Sequence, residues 1–230
     1  MLSFATFIKE LLFPATCIVC KQGSDLLCES CRCKMPLAPY ACPFCQAIAH
    51  NGATCLRCGR KHPLAGAVSV FDYEHPSSKK LIDAIKYRGL FDCLSSVHED
   101  ILERFLILTD ALHPDAIMPA PISKQSFAER GYNQSIILAK RIGQELSIPV
   151  INPLVNRSSK QQHTLHAEER WKIMATAIQC GKLAKRAERV IVVDDILTTG
   201  ATLDACARVL RIRGVAAVWG FTLCRQLKMT

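Results

Sequence analysis

No apolar run in this chain approaches the roughly 18–20 residues that a membrane-spanning helix requires. The start, MLSFATFIKELLF, carries Lys9 inside its apolar stretch and has no basic segment ahead of it, so it does not read as an export signal. Aromatic residues are few, at 7%, and the two tryptophans and four tyrosines are dispersed, which argues against an array on which successive nucleobases stack. Acidic residues are the minority charge, 20 against 29 lysines and arginines, for a formal net charge of +9. Low-complexity segments and internal repeats are absent apart from paired cysteines. These absences leave a chain of 230 residues, half of them hydrophobic, able to build a sizeable core, with no span across a membrane and a reducing, cytoplasmic setting as the expectation.

Cysteine is what the chain has in excess. Nine of its thirteen cysteines fall between Cys17 and Cys58. Four pairs stand out there: Cys17-x2-Cys20, Cys28-x2-Cys31, Cys42-x2-Cys45 and Cys55-x2-Cys58. A two-residue gap lets both thiolates of a knuckle reach one metal ion about 2.3 Å away, and clustered pairs of this kind favour zinc over disulfides. Eight ligands fill two tetrahedral sites and leave no open position for water or substrate, so both Zn2+ ions are expected to be structural. Sequential pairing (17/20 with 28/31, 42/45 with 55/58) is preferred over an interleaved cross-brace; Cys33, His50 and His62 are substitute ligands to weigh. Eight thiolates holding two Zn2+ would lower the net charge to about +5, a balance compatible with a polyanion partner without requiring one. The ribbon reads equally as a docking module or as a folding staple for a segment with little core.

The texture changes near Leu64–Gly66. The chain therefore divides into an amphipathic helix within residues 1–16, a double zinc ribbon over 17–63 and an α/β domain over 64–230. The first helix, about Ser3 to Phe13, is read as docked on the protein, with a membrane-surface or partner helix as the alternative. In the α/β part, Ala67–Phe71 reads as a strand, Pro76–Tyr87 as a helix ending near Gly89, and Cys93–Leu108 as a second helix. Ala116–Met118 is a short strand broken at Pro119-Ala120-Pro121. Gln134–Leu146 is helical, Val150–Val155 strand-like, and Asn156–Glu169 a polar segment too long for an idle connection. Val190–Val193 is a continuous β-branched run of the kind a buried parallel strand uses. Thr202–Arg213, closed by Gly214, is a helix, and Val215–Leu223 a last strand. Strands alternating with helices give a parallel sheet flanked by helices.

The chemistry concentrates in Val190-Ile-Val-Val-Asp-Asp-Ile-Leu-Thr-Thr-Gly-Ala-Thr202. A buried strand ending at Asp194-Asp195 places two carboxylates at the carboxyl edge of the sheet, where ligands of open α/β folds bind. Adjacent carboxylates can accept from the paired hydroxyls of a ribose. Thr198, Thr199, Gly200, Ala201 and Thr202 then offer hydroxyls and backbone amides at the start of a helix, a cradle for phosphate. No lysine stands where a Walker loop needs one. The bland alternative is a helix N-cap region alone.

This stretch resembles the phosphoribosyl pyrophosphate (PRPP) signature of type I phosphoribosyltransferases. Arg130-Gly-Tyr-Asn-Gln-Ser135 followed by Leu138-Ala139, the segment Ala84-Ile-Lys-Tyr-Arg-Gly89, and Arg157…Gln162-x2-Leu165…Arg170 narrow the resemblance to the ComF family of competence and GntX-like proteins. With the double ribbon, the likeness covers nearly the whole chain. It implies a type I phosphoribosyltransferase fold behind the cysteine ribbon, with Asp194 and Asp195 on ribose hydroxyls and Thr198–Thr202 on the 5′-phosphate. It places a pyrophosphate loop at Pro119–Lys124, including Pro121 and Lys124, and lines the cleft with Arg130, Asn133 and Gln134. It also implies Mg2+ with PRPP and a mobile loop bearing Arg157, Lys160 and Gln162. Where the family has an asparagine after Arg170, this chain has Ile173. His163 and His166 titrate near neutrality but read as solvated bystanders. The implied function is the handling of single-stranded DNA in the cytoplasm during natural transformation, with PRPP or ribose 5-phosphate as ligand. Lys79-Lys80, the Lys182–Arg189 cluster, Arg208, Arg211 and Arg213 are candidate phosphate contacts, or else solvated helix faces. The alternatives are an active phosphoribosyltransferase with an unidentified acceptor, and an adaptor recruiting a partner such as a helicase of the uptake machinery.

Overall fold

The computed structural model describes residues 16–23, 25–158, 176–183 and 187–227. The expected helix within residues 3–13, Lys160, Gln162, His163, His166 and Arg170 lie outside them.

Strand β1 spans Gly66–Asp72 and is buried along nearly its whole length. Helix α1, Pro76–Arg88, begins with proline at its first position, where no intrahelical N–H is lost, and His75 accepts from the Ser77 amide. It stops at Gly89, whose φ of 62° is the left-handed cap that glycine adopts at little cost. Next comes a difference from the sequence reading. In place of one helix over Cys93–Leu108, a 3-10 turn runs from Phe91 to Val97 and helix α2 from His98 to Leu112. Ser95 and Ser96 are poor helix formers that compete for the backbone, and Val97 leaves helical geometry with a φ of −118°.

Strand β2 is Ala116–Pro119, and helix α3, Lys124–Arg130, is capped by the Ser123 hydroxyl accepting from the Ser126 amide. Helix α4 spans Gln134–Glu145 with Asn133 as its cap. The strand expected over Val150–Val155 is divided. Val150 bridges to Ile117 beside β2, whereas β3, Leu154–Asn156, pairs antiparallel with β4, Ile178–Cys180. Pro153 stands between the two parts and has no N–H to continue a ladder. Strand β5 spans Arg189–Leu197, helix α5 Ala201–Ile212 and strand β6 Ala217–Arg225.

The main sheet is parallel throughout in the order β1-β6-β5-β2. Its two faces divide by the two-residue period of a strand. On β5, Ile191 and Val193 join the core made with α1, α2 and α4, which includes the edge-to-face pair Phe105–Phe221 at 4.9 Å. Val190 and Val192 face the other way, into the core with α5 and the β3-β4 hairpin. Each such fully buried aliphatic side chain contributes about 1.5–3 kcal/mol.

The cysteine segment covers the sheet's β1 edge. Leu37 bridges antiparallel to Phe71 and Ala53 to Gly66, and the Ala38 amide donates to the Val70 carbonyl at 2.9 Å. An edge that would otherwise offer unpaired backbone groups is thereby closed. Ile18, Leu27 and Met35 continue the sheet's own core.

Candidate functional site

The helix-facing core ends at the carboxyl edge of the sheet in a cleft of about 280 Å³. The sequence reading placed Asp194 and Asp195 just beyond the strand. In the structure β5 runs through both and ends at Leu197, with Asp194 opposite Thr222 of β6. Being consecutive on a strand, the two carboxylates leave the backbone on opposite faces, and each finds its own partners. Asp195, 6% exposed, accepts from Gln134 Nε2 and lies 3.2 Å from Lys86 Nζ. Asp194, half-buried, accepts from Ser135 Oγ at 3.0 Å and from the Asp195 amide at 2.9 Å.

These surroundings set the charges. Burial, then the neighbouring Asp195 charge, pushes the Asp194 carboxyl up to about 7, against the pull of the Asp195 amide, Lys86 and Ser135. Burial works against a charged Lys86, but Asp195 and Asp194 outweigh it and hold its pKa above the usual lysine value. The result is a cation beside two carboxylates at the base of a cleft, an arrangement that presents acceptors for paired hydroxyls and a positive charge for an anion.

Thr198 and Thr199 follow the strand, Gly200 adopts a φ of 80°, and α5 starts at Ala201, whose amide lies 3.3 Å from Thr199 Oγ1. Thr198, Thr199, Ala201 and Thr202 line the cleft; Gly200 does not, being turned towards the cysteine segment. Of the other expected residues, Pro121, Arg130 and Gln134 line the cleft. Lys124 and Asn133 do not: Lys124 begins α3, and the Asn133 side chain joins the Ser135 amide to the Ala120 carbonyl as a cap. Arg157 is on the β3-β4 hairpin, with its Nε 2.8 Å from Gln179 Oε1.

Three groups escaped the sequence reading: Lys86 and Tyr87, which line the cleft, and Ser135, which is buried behind it and donates to Asp194. Lys86 stood within a quoted motif without a role, and its position one turn before the Gly89 cap was the available signal. Ser135 follows Gln134 directly, so a helix start there brings both towards the same strand end. Tyr87, 64% exposed, stands on the rim with the Arg130 guanidinium 5.4 Å from its ring centre.

The cysteines form two sets, Cys17, Cys20, Cys28, Cys31 and Cys42, Cys45, Cys55, Cys58, each with all four sulfurs within 4.8 Å of one another. This is the sequential grouping. Cys20 and Cys28 sulfurs are 3.7 Å apart and those of Cys45 and Cys55 3.6 Å. A tetrahedron with metal–sulfur bonds near 2.3 Å has edges of about 3.8 Å. Backbone amides point at the sulfurs as well, Cys28 N at Cys17 and Cys55 N at Cys42, both 3.5 Å. Although burial opposes ionisation, amides bring the Cys17 and Cys42 thiols down to about 6. Burial, reinforced by the neighbouring sulfurs, pushes Cys31 and Cys58 up to about 12. Four thiolates so close together repel one another, and a cation at their centre relieves that repulsion. Each donor set fits a closed, four-sulfur metal ion site. Cys33 is exposed, and His62 stacks on Phe44; neither is in a set.

Among the described residues, no helix is long and apolar enough to cross a membrane. Several candidate phosphate contacts are engaged locally: Lys79 with Glu74 at 2.7 Å, Arg208 with Asp204 at 3.0 Å, and Arg213 with the Cys180 carbonyl at 3.0 Å. Of the Lys182–Arg189 cluster, residues 184–186 lie outside the described residues.

Residues 133–229 match the family model of the phosphoribosyl transferase domain. Over the longer range, the DNA utilization protein YhgH of Escherichia coli (strain K12) is 29% identical, the match covering 94% of this chain and 100% of the relative. The competence protein ComFC of Bacillus subtilis (strain 168) is 28% identical over 89% of this chain and 86% of its own. Competence protein F of Haemophilus influenzae is 28% identical over 90% and 96%.

Proposed function

We propose, on the premise that this chain is of the ComF type, with a type I phosphoribosyltransferase domain behind two four-cysteine clusters, that it binds PRPP or ribose 5-phosphate and handles single-stranded DNA in the cytoplasm during natural transformation. The convergence of Asp194, Asp195, Lys86, Thr198, Thr199, Ala201 and Thr202 on one cleft supports the ligand. Carboxylates at the base accept from the vicinal hydroxyls of a ribose. Threonine hydroxyls and the start of α5 receive a 5′-phosphate, with the helix dipole favouring the anion. Lys86 compensates charge between them. Mg2+ would enter with the pyrophosphate of PRPP. The DNA role draws on the competence and DNA-utilization names of the relatives and on the basic balance of the chain. In this reading the cleft takes PRPP or the sugar-phosphate end of a strand.

The two clusters hold one structural Zn2+ each. With every ligand position filled by cysteine, neither ion has a place for substrate. The ribbon (17–63) and the α/β unit (64–230) act together, since the first seals the edge of the second.

The test is a titration of a labelled single-stranded oligonucleotide with the protein, followed by fluorescence anisotropy at physiological salt, with and without Mg·PRPP. Micromolar or tighter binding that PRPP alters is expected. An oligonucleotide that does not bind in either condition would overturn the DNA role. Calorimetry with Mg·PRPP and the double variant Asp194→Asn, Asp195→Asn separately tests the cleft: affinity surviving in that variant would remove these carboxylates from the site.

A further inference from the structure

Gly200, in the middle of the threonine loop, is pressed against the cysteine segment. A Cβ on it would lie 3.0 and 3.2 Å from two ring carbons of Phe44 and 3.6 Å from the Pro43 carbonyl oxygen. Phe44 stands inside the knuckle Cys42-x2-Cys45, so its place is fixed by the second cluster. Its ring stacks on His62 at 3.8 Å and 17°. His62 Nδ1 in turn lies 3.3 Å from the carboxylate of Asp204, 1% exposed in the first turn of α5.

A second set of bonds ties the same knuckle to the end of β6. Arg225, 1% exposed, donates from NH1 to the Ala41 carbonyl at 2.7 Å and from NH2 to the Cys42 carbonyl. Gln46 Nε2 donates to the carbonyl of Gln226, a cleft residue, at 3.3 Å. The first cluster is attached elsewhere, through Arg32 to Asp100 on α2 and through Lys80 of α1 to the Val19 carbonyl. Among the described residues, it is the second of the two clusters that is built against the threonine loop.

We propose that metal occupancy of the Cys42, Cys45, Cys55, Cys58 cluster and ligand binding at the Thr198–Thr202 loop are energetically linked, with Phe44 the positioning residue that transmits the link. The proposal rests on the reading of that loop as a phosphate site. Its physics is simple. The loop can cradle a phosphate only while Gly200 keeps its left-handed turn, and the Phe44 ring backs that turn. A knuckle without its metal loses the fixed position of Phe44, and the loop samples other conformations, lowering the binding-competent fraction. Linkage is reciprocal: a bound phosphate ligand must retain the metal of this cluster more tightly, and by the same factor.

The experiment uses the full chain with both clusters loaded. Phe44→Ala removes the ring and leaves all eight sulfurs. It is expected to weaken Mg·PRPP binding in calorimetry by about fivefold to a hundredfold, the usual range of such couplings, with metal content unchanged. Arg32→Ala, which loosens only the first cluster, should stay within about twofold of the parent on the same principle. In the parent protein, release of metal to a chromogenic chelator should show two phases, one slowed by Mg·PRPP and one indifferent to it. Undiminished affinity in Phe44→Ala, or a ligand that slows both phases or neither, would overturn the proposal. Should the parent bind neither Mg·PRPP nor ribose 5-phosphate, the phosphate reading fails by itself. Hydrogen exchange over residues 198–203 then decides the coupling: faster exchange in Phe44→Ala supports it, and unchanged exchange refutes it.

Discussion

Replacing Asp194 by asparagine should make the protein more stable, and increasingly so as the pH rises. Asp194 is held up to about 7 from an ordinary value of 3.8. A carboxyl with a raised pKa keeps its proton in the folded chain where the unfolded chain has lost it. Stability from this group is therefore full below about pH 4 and drains away as the pH climbs through 7. At about 1.4 kcal/mol per unit, the shift sets a ceiling of about 4 kcal/mol at pH 8, roughly half of it developing above pH 5.5. The pair with Asp195 titrates together and the cleft admits solvent, so about 1–3 kcal/mol is the expected gap at pH 8. Asparagine carries no charge, and its carbonyl can still accept from Ser135 Oγ and the Asp195 amide, the bonds that Asp194 accepts among the described residues. Urea unfolding of parent and variant at pH 5.5 and pH 8 measures the difference. A gap that widens by about 1 kcal/mol or more between them is expected, alongside lost affinity for Mg·PRPP. A gap independent of pH, or a variant less stable at pH 8, would refute the electrostatic account of the cleft.

Lys86→Met strands the Asp195 carboxylate and should cost roughly 3 kcal/mol in urea unfolding, whereas adding Asp195→Asn to it should restore at least half of that loss; equal costs for single and double variants would deny the ion pair its role. Gly52 has a φ of 74° and a Cβ there would lie 2.1 Å from the Ala67 carbonyl oxygen, while Gly23, with a φ of 75°, has nothing within 4 Å. Gly52→Ala should consequently lower the thermal midpoint by about 4 °C or more, and Gly23→Ala by about half as much or less; similar midpoints would show that the ribbon does not seat on β1 as described. Emission spectrometry should find two zinc ions per chain, and one or none would remove the paired four-sulfur reading.

What the sequence made legible was local chemistry. Val190–Val193 reads as a buried parallel strand because β-branched residues without polar interruption suit no other place so well. The four cysteine pairs read as metal knuckles from their spacing, and the structure groups them sequentially. Less legible was anything decided by a partner distant in the chain. The strand β5 does not stop at Asp194 because β6 continues beside it, pairing Ile196 with Cys224 and Leu197 with Arg225. Val150–Val155 looked like one strand, yet its two ends answer to different neighbours, Ile117 and β4. Lys86 acquires a role only when the last turn of α1 is brought beside Asp195 of β5. No periodicity in the chain announces that approach.

Composition changes sharply near residue 64, but hydrogen bonding does not. The amides of Ala38, Thr54 and Asp72 join the cysteine segment and the β1 region across that point, and Arg225 reaches back from the last strand to hold the carbonyls of Ala41 and Cys42. A guanidinium buried to 1% exposure is costly unless its donors are met, and here carbonyls of a metal knuckle meet them. Burial lowers the Arg225 pKa, and the Cys42 and Cys45 thiolates beside it pull in the opposite direction. The last strand of the sheet, the knuckle and the threonine loop therefore stand or fall as one arrangement. In a cleft where the Asp194 carboxyl is held against its own charge, such bracing has a purpose: a group that destabilises the folded chain keeps its geometry only where the surrounding structure over-determines it.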